Sequence, residues 1–109
     1  MDMSKHLMDS VKYELEFKKA KEEFEPILRN ISLKVLIITI KHPGFITDEE
    51  VVEELRTYIS QMLEYLDRIN SVHLKAMAIN DYDLNKKCGD EKNKLIYDME
   101  EIRKLYMRN

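Results

Sequence analysis

The longest amphipathic stretch of the sequence, residues 47–79, constrains the fold more than any other feature. It contains neither glycine nor proline, and its apolar residues recur at alternating steps of three and four, which places them on one face of an α-helix. At about 1.5 Å per residue this helix is on the order of 50 Å long, so we expect an elongated fold. The main apolar row is Val52, Leu55, Ile59, Met62, Leu66, Ile69, His73 and Ala76, and a parallel row is Val51, Tyr58, Tyr65, Val72 and Ile79.

This stretch begins with the signals of a helix start. Thr47 is the predicted N-cap, and Glu50 stands three residues later, which completes a capping box. Asp48 and Glu49 add negative charge to the first turn, where the helix dipole favours it. The two apolar rows together make a wide face, which fits a bundle helix with two neighbours better than a two-stranded coiled coil.

The composition favours one domain of long helices. The 109 residues are 44% hydrophobic and 36% charged, with only two glycines and two prolines, a pattern that is typical of helices rather than a turn-rich β fold. A chain of this length has room for one core. We therefore predict an all-α fold, an elongated antiparallel three-helix bundle with long helices, in which residues 1–109 form a single helical domain.

Charge and cysteine content narrow the setting of the protein. The formal net charge of −3 does not indicate nucleic-acid binding, which requires a basic surface. One cysteine cannot form an intramolecular disulfide, so a reducing compartment is expected. The first eight residues lack the apolar core of a signal peptide, and no apolar run is long enough to span a membrane. The sequence thus predicts a cytoplasmic protein without a membrane partner.

The first helix is predicted over residues 4–41, with a kink near Pro26, because the apolar stripe keeps nearly the same phase on both sides of the proline. Residues 31–40 are rich in β-branched side chains and are also compatible with a buried strand. A strand without a partner would leave its backbone polar groups unpaired, so a helix is favoured here. The stripe consists of Val11, Tyr13, Leu15, Phe17, Ala20 and Phe24, and it resumes at Ile27, Ile31, Val35 and Ile38.

Two turns separate the predicted helices. Residues 42–45 form the clearest loop, because Pro43 disfavours helix before it and Gly44 permits a turn. The second helix is predicted over residues 48–79 and the third over residues 82–108. Their boundary is placed at Asn80 and Asp81, with Asp81 as a helix cap, and Gly89-Asp90 is the rival position.

The end of the first helix is predicted to form an interaction surface. Apolar side chains of residues 31–40 point nearly all round the helix axis, whereas two neighbouring helices cover only part of its circumference. The uncovered part would be an apolar patch of the kind that marks a protein interface, and a two-fold axis would let the patch cover its own copy. The predicted interface residues are Ile31, Leu33, Leu36, Ile37, Ile40, Phe45 and Tyr58.

Arg68 and His73 stand five positions apart in the second predicted helix. This pair resembles the Arg-x4-His element of HEPN-domain ribonucleases, which are all-α proteins of about this size. The resemblance implies metal-independent RNA cleavage, with Arg68 and His73 in an active site that lies across a dimer. A structural role is the alternative, because His73 falls in the main apolar row, where a histidine is partly buried and hydrogen-bonded.

No catalytic, cofactor or metal site is predicted outside that pair. The three histidines are scattered, and neither Glu-x-x-His nor Cys-x-x-Cys occurs. The favoured function is a non-catalytic helical protein–protein interaction module, such as an adaptor or a small regulatory subunit. Such a module would form a homo-oligomer or bind another helical protein. The alternative is a HEPN-like dimeric ribonuclease that uses Arg68 and His73.

Overall fold

The structure is a computed structural model that describes residues 3–107 of the chain, apart from the side chains of residues 3, 4 and 6. Three α-helices follow one another: α1 spans Met3–Lys41, α2 spans Glu49–Ala78 and α3 spans Tyr82–Arg103. No β-strand occurs between residues 3 and 107. The all-α prediction is therefore confirmed, and residues 31–40 form part of α1 rather than a strand.

Successive helices run antiparallel. Early residues of α1 contact late residues of α2, and late residues of α2 contact early residues of α3. The molecule measures 59 × 27 × 17 Å, so the prediction of an elongated three-helix bundle is confirmed. The contacts that define these directions are Glu16 with Lys75, Phe24 with Tyr65, Asn70 with Lys92, and Ile46 with Leu105.

Buried side chains recur every seven residues, the repeat of helices that pack with knobs-into-holes geometry. In α2 two such rows lie side by side, so that α2 packs against both α1 and α3, as the wide apolar face predicts. The buried rows are Phe17, Phe24, Ile31 and Ile38 in α1, Leu55, Met62, Ile69 and Ala76 with Tyr58, Tyr65 and Val72 in α2, and Cys88, Leu95 and Ile102 in α3.

The long helix α1 has 39 residues, and Pro26 lies inside it. The proline ring removes one backbone donor from the helical hydrogen-bond pattern, and the helix continues on both sides of it. Across the part of the chain that the structure describes, none of the helices is both long enough and apolar enough to cross a bilayer.

The start of α2 differs from the prediction by one residue. Asp48 rather than Thr47 is the N-cap, because its carboxylate accepts hydrogen bonds from the backbone N–H groups of Glu50 at 3.0 Å and Val51 at 3.4 Å. The observed and predicted bounds of α2 agree within the one or two residues by which helix ends are defined. The helix thus begins where expected, but with a carboxylate cap in place of a hydroxyl.

The end of α3 is a larger correction. The helix ends at Arg103, whereas the prediction continued it to residue 108. After Arg103 the chain tightens into a turn, in which Leu105 and Tyr106 donate backbone hydrogen bonds to carbonyls three residues earlier. The carbonyl of Leu105 accepts a hydrogen bond of 2.8 Å from the backbone N–H of Ile46. The end of α3 therefore closes against the loop between α1 and α2.

The turn between α2 and α3 lies where the sequence predicts it, at Asn80 and Asp81. Asn80 has a positive φ of 57°, a conformation that asparagine tolerates better than most residues. Asp81 caps α3 by accepting a hydrogen bond of 3.1 Å from the N–H of Leu84, and it accepts a second one from the hydroxyl of Ser10 in α1. Asp81 thus ties all three helices together, and the rival position, Gly89, lies inside α3.

Candidate interaction surface

Four large aliphatic side chains lie exposed on one side of the last turns of α1. Leu36 and Ile40 each stand two residues from the buried Ile38, a rotation of about 200° around the helix axis, so they point away from the core. We call this surface the C-terminal patch. Its members and their exposed fractions are Leu33 at 59%, Leu36 at 56%, Ile37 at 43% and Ile40 at 71%.

Two predicted interface residues, Ile31 and Tyr58, belong to the core instead. Ile31 is only 2% exposed, because it follows Phe24 by seven residues and so continues the buried row of α1. Tyr58 is 7% exposed, and its hydroxyl donates a hydrogen bond to the carboxylate of Glu54 on its own helix. Both side chains are therefore covered within the protomer and do not belong to the exposed surface.

Phe45 lies in the loop between α1 and α2 and is 41% exposed. The preceding Gly44 has a positive φ of 88°, which glycine adopts without strain. The following Ile46 is buried and bonded through its backbone to Leu105. The loop is thus held in place, and part of the Phe45 ring is accessible at the same end of the bundle as the C-terminal patch.

A second apolar surface lies near the start of α1. Val11 and Leu15 belong to the apolar stripe of the first helix, but both are exposed. The buried face passes through Phe17 instead, and Leu15 stands two residues before it, about 200° away around the helix. We call this second surface the N-terminal patch. Its members and their exposed fractions are Leu7 at 69%, Met8 at 71%, Val11 at 55% and Leu15 at 60%.

A groove of about 910 Å³ runs between α1 and α3 beside the C-terminal patch. It exists because α2 packs closely against both neighbours while α1 and α3 contact each other much less. Met62 and Tyr65 of α2 line it, and Leu33 and Leu36 of the C-terminal patch stand on its α1 side. Charged residues of both signs also line it: Lys21, Glu25 and Arg29 from α1, and Glu91, Lys94, Asp98 and Glu101 from α3.

Two buried tyrosines of α2 pair with carboxylates. Burial raises the pKa of Tyr58 to about 12, and the neighbouring carboxylate of Glu54 adds to the shift. Burial also raises the pKa of Tyr65 far above its usual value, and its hydroxyl donates a hydrogen bond to Glu91 of α3. The ionised forms of both tyrosines are therefore disfavoured in the folded protein.

We expect the protein to lose stability at alkaline pH through these tyrosines. In the unfolded chain a tyrosine has a pKa of about 10. In the folded protein the pKa of Tyr58 is about 12. Below pH 10 this difference in pKa contributes its full stabilisation of the folded state. As the pH rises from 10 toward 12, the free energy of unfolding falls by up to about 1.4 kcal/mol per pH unit for each tyrosine. Urea titrations at several alkaline pH values measure the loss.

The matched variants for this experiment are Tyr58→Phe and Tyr97→Phe. Tyr58→Phe removes one raised pKa and should flatten the alkaline loss of stability relative to the unsubstituted protein. Tyr97→Phe makes the same chemical change at a tyrosine of α3 that is 62% exposed, and it is the matched control. The same slope in all three proteins would contradict the assignment.

Arg68 and His73 lie on different flanks of α2, since five residues turn the helix by about 140° beyond one full turn. Arg68 forms an ion pair with Glu23, and its guanidinium carbon lies 5.5 Å from the ring centre of Phe24; both partners belong to α1. His73 Nδ1 lies 3.1 Å from Lys92 Nζ of α3. Partial burial, and then the charge of Lys92, lower the pKa of His73. The two side chains thus contact different helices and do not meet within one protomer.

The fold and its surfaces define an elongated three-helix bundle with exposed apolar patches on α1. No protein family, no curated protein and no solved structure matches the chain. Over residues 3–107, no three His, Cys, Asp or Glu side chains are grouped closely enough to hold a metal ion.

Proposed function

We propose that this protein is a non-catalytic helical interaction module, in the manner of an adaptor or a small regulatory subunit, and that it forms a homodimer. The observation that carries the proposal is the C-terminal patch, whose four large aliphatic side chains are each between 43% and 71% exposed. A contiguous apolar surface of this kind marks a site of protein–protein interaction. Another helical protein with an apolar face is the alternative partner.

Burial of the patch supplies a driving force for association. Full burial of a Leu or Ile side chain contributes about 1.5–3 kcal/mol. Burial of the exposed half of such a side chain therefore contributes roughly half of this free energy. Two copies of the patch bring together eight such side chains, which release on the order of 8 kcal/mol before the entropic cost of association. A two-fold axis lets each copy of the patch cover surface on the other, which makes a homodimer the simplest assembly.

A reducing compartment suits the protein. Cys88 is the one cysteine of the chain, it is fully buried, and burial raises the pKa of its thiol to about 11. A thiol with this pKa stays protonated and unreactive at neutral pH. As part of the proposal we place the module in the cytoplasm, because a single cysteine forms no intramolecular disulfide of the kind that oxidising compartments favour.

The ribonuclease alternative rests on the spacing of Arg68 and His73, and their contacts within one protomer give it no further support. The two functions predict different results in an RNA cleavage assay. The interaction module is expected to show no specific cleavage of single-stranded RNA. Cleavage that disappears in both Arg68→Ala and His73→Ala, with folding intact, would favour the ribonuclease.

Leu36→Glu is expected to convert the dimer into a monomer. The variant places a charge in the middle of the C-terminal patch, where association would strip it of water without a compensating partner, at a cost of several kcal/mol. Sedimentation velocity over a range of protein concentrations measures the change. The matched control is Leu74→Glu, because Leu74 is 59% exposed on α2, outside both patches. A dimer that survives Leu36→Glu would place the interface elsewhere.

A further inference from the structure

The two patches of α1 lie on the same side of the helix. Each residue turns an α-helix by about 100°, and on this basis the centres of the N-terminal and C-terminal patches point within about 20° of each other. Both point about 150° away from the buried row that contains Phe24 and Ile38, and the C-terminal patch also borders the groove between α1 and α3. The outer side of α1 therefore carries two apolar surfaces, one near each end, which the described residues of the bundle leave exposed.

Charged residues of both signs separate the two patches. Lys18, Glu22 and Arg29 face the same outer side of α1, and all three are exposed. Neither Glu22 nor Arg29 forms an ion pair with another residue in the part of the chain that the structure describes. A helix that docks along this side must therefore present apolar side chains to both patches and charged side chains to the segment between them.

We infer that α1 of a second copy docks along this outer side in the antiparallel direction, so that Val11 and Leu15 of the N-terminal patch of each copy cover the C-terminal patch of the other. The inference rests on the proposed homodimer and specifies its interface. The two-fold axis passes between residues 25 and 26 of both helices. The pairs that meet across the interface, each occurring twice, are Val11 with Ile40, Leu15 with Leu36, and Glu22 with Arg29.

The order of the charges selects this register. If the helices were shifted so that Leu15 met Leu33 of the second copy, Lys18 would lie beside Arg29 of the second copy, and like charges in contact oppose association. With the axis between residues 25 and 26, Glu22 meets Arg29 of the second copy at two symmetric positions. Lys18 then lies against Leu33, whose side chain can pack on the aliphatic stem of the lysine.

The buried area also favours the use of both patches. A half-exposed aliphatic side chain has on the order of 60 Å² of apolar surface left to bury. The C-terminal patch alone, packed on its own copy, would bury a total of about 500 Å², which is in the range of crystal-packing contacts. With Val11 and Leu15 added, each copy contributes six aliphatic side chains, and the interface buries about 700 Å², closer to the roughly 1,000 Å² at which specific interfaces begin.

Leu15→Glu tests the use of the N-terminal patch. We expect it to weaken the dimer by about 100-fold or more in Kd, comparable to the effect of Leu36→Glu, because both charges enter the same apolar layer. Sedimentation equilibrium measures Kd, and circular dichroism shows that the helix content is unchanged. Leu74→Glu should leave Kd unchanged.

The outcomes separate this inference from the proposed function. If Leu36→Glu abolishes the dimer and Leu15→Glu does not, the antiparallel interface is wrong while the homodimer through the C-terminal patch stands. If the unsubstituted protein is a monomer at high micromolar concentration, both are wrong.

An exchange of charges tests the direction and register. Glu22→Arg and Arg29→Glu each bring like charges together at two positions, and each should weaken Kd about tenfold. The double variant Glu22→Arg/Arg29→Glu restores both ion pairs with reversed polarity and should return Kd to within about threefold of the original value. Glu64→Arg makes the same change of charge at an exposed site on α2 and should have no effect. A double variant as weak as the single ones would overturn the register.

Discussion

Phe24→Ala is expected to lower the free energy of unfolding by about 4 kcal/mol, within the range observed for truncation of a buried aromatic ring. Phe24 is 8% exposed, and its ring stacks on that of Tyr65 with the ring centres 5.0 Å apart. The variant removes this contact between α1 and α2 and leaves a cavity that two long, rigid helices cannot close. It also removes the ring on which the guanidinium of Arg68 lies.

Urea denaturation followed by circular dichroism measures this loss. All variants must be compared at one protein concentration, because association stabilises the folded state by mass action. The matched control is Arg68→Ala, which removes a partly exposed ion pair with Glu23 and the contact of the guanidinium with the Phe24 ring, and should cost about 1 kcal/mol. A loss below about 1 kcal/mol for Phe24→Ala would mean that the ring does not join the two helices.

Ile69→Ala is expected to be the next most severe variant, with a loss of about 3 kcal/mol. Ile69 is fully buried in the second half of α2, the helix that packs against both α1 and α3. Truncation removes apolar contacts on both sides and leaves a cavity in a tightly packed row.

The control for this variant is Leu74→Ala on the same helix. Leu74 is 59% exposed, so its truncation should change the free energy of unfolding by less than about 0.5 kcal/mol. The same urea titration measures both variants. Equal losses for Ile69→Ala and Leu74→Ala would show that the buried face of α2 is assigned incorrectly.

Helix periodicity was sufficient to predict the architecture. Apolar residues in two parallel rows over residues 47–79 indicate a helix with two neighbours, and α2 packs in that way. The turn at Asn80 and Asp81 could be recognised because Asp81 is a good N-cap and asparagine tolerates a positive φ. Gly89 could be rejected as a boundary because the apolar phase continues across it.

The local pattern could not decide which residues of α1 are buried. In residues 31–40 seven of the ten positions are apolar, so periodicity alone gives no single face. Ile31 therefore appeared both in the apolar stripe and among the interface residues, and it lies in the core. Near the start of α1, Val11 and Leu15 are as apolar as Phe17, but only Phe17 is buried. The seven-residue repeat over the whole of α1 and the position of α2 decide which of the two apolar faces of α1 packs into the core.

The candidate surface was predicted only in part for the same reason. Leu33, Leu36, Ile37 and Ile40 are exposed as expected, because two neighbours cannot cover a helix that is apolar all round. The N-terminal patch and the groove between α1 and α3 were not predicted. The groove depends on the spacing of two helices that are not adjacent in the sequence, and no local pattern records that spacing.

Self-association through the outer side of α1 is tested most directly by the mass of the protein in solution. Sedimentation equilibrium from low to high micromolar concentration should give a mass that rises from one chain of 13.1 kDa toward twice that value. Such a concentration dependence is the mass-action behaviour of a reversible homodimer. The mass of a single chain throughout this range would contradict self-association.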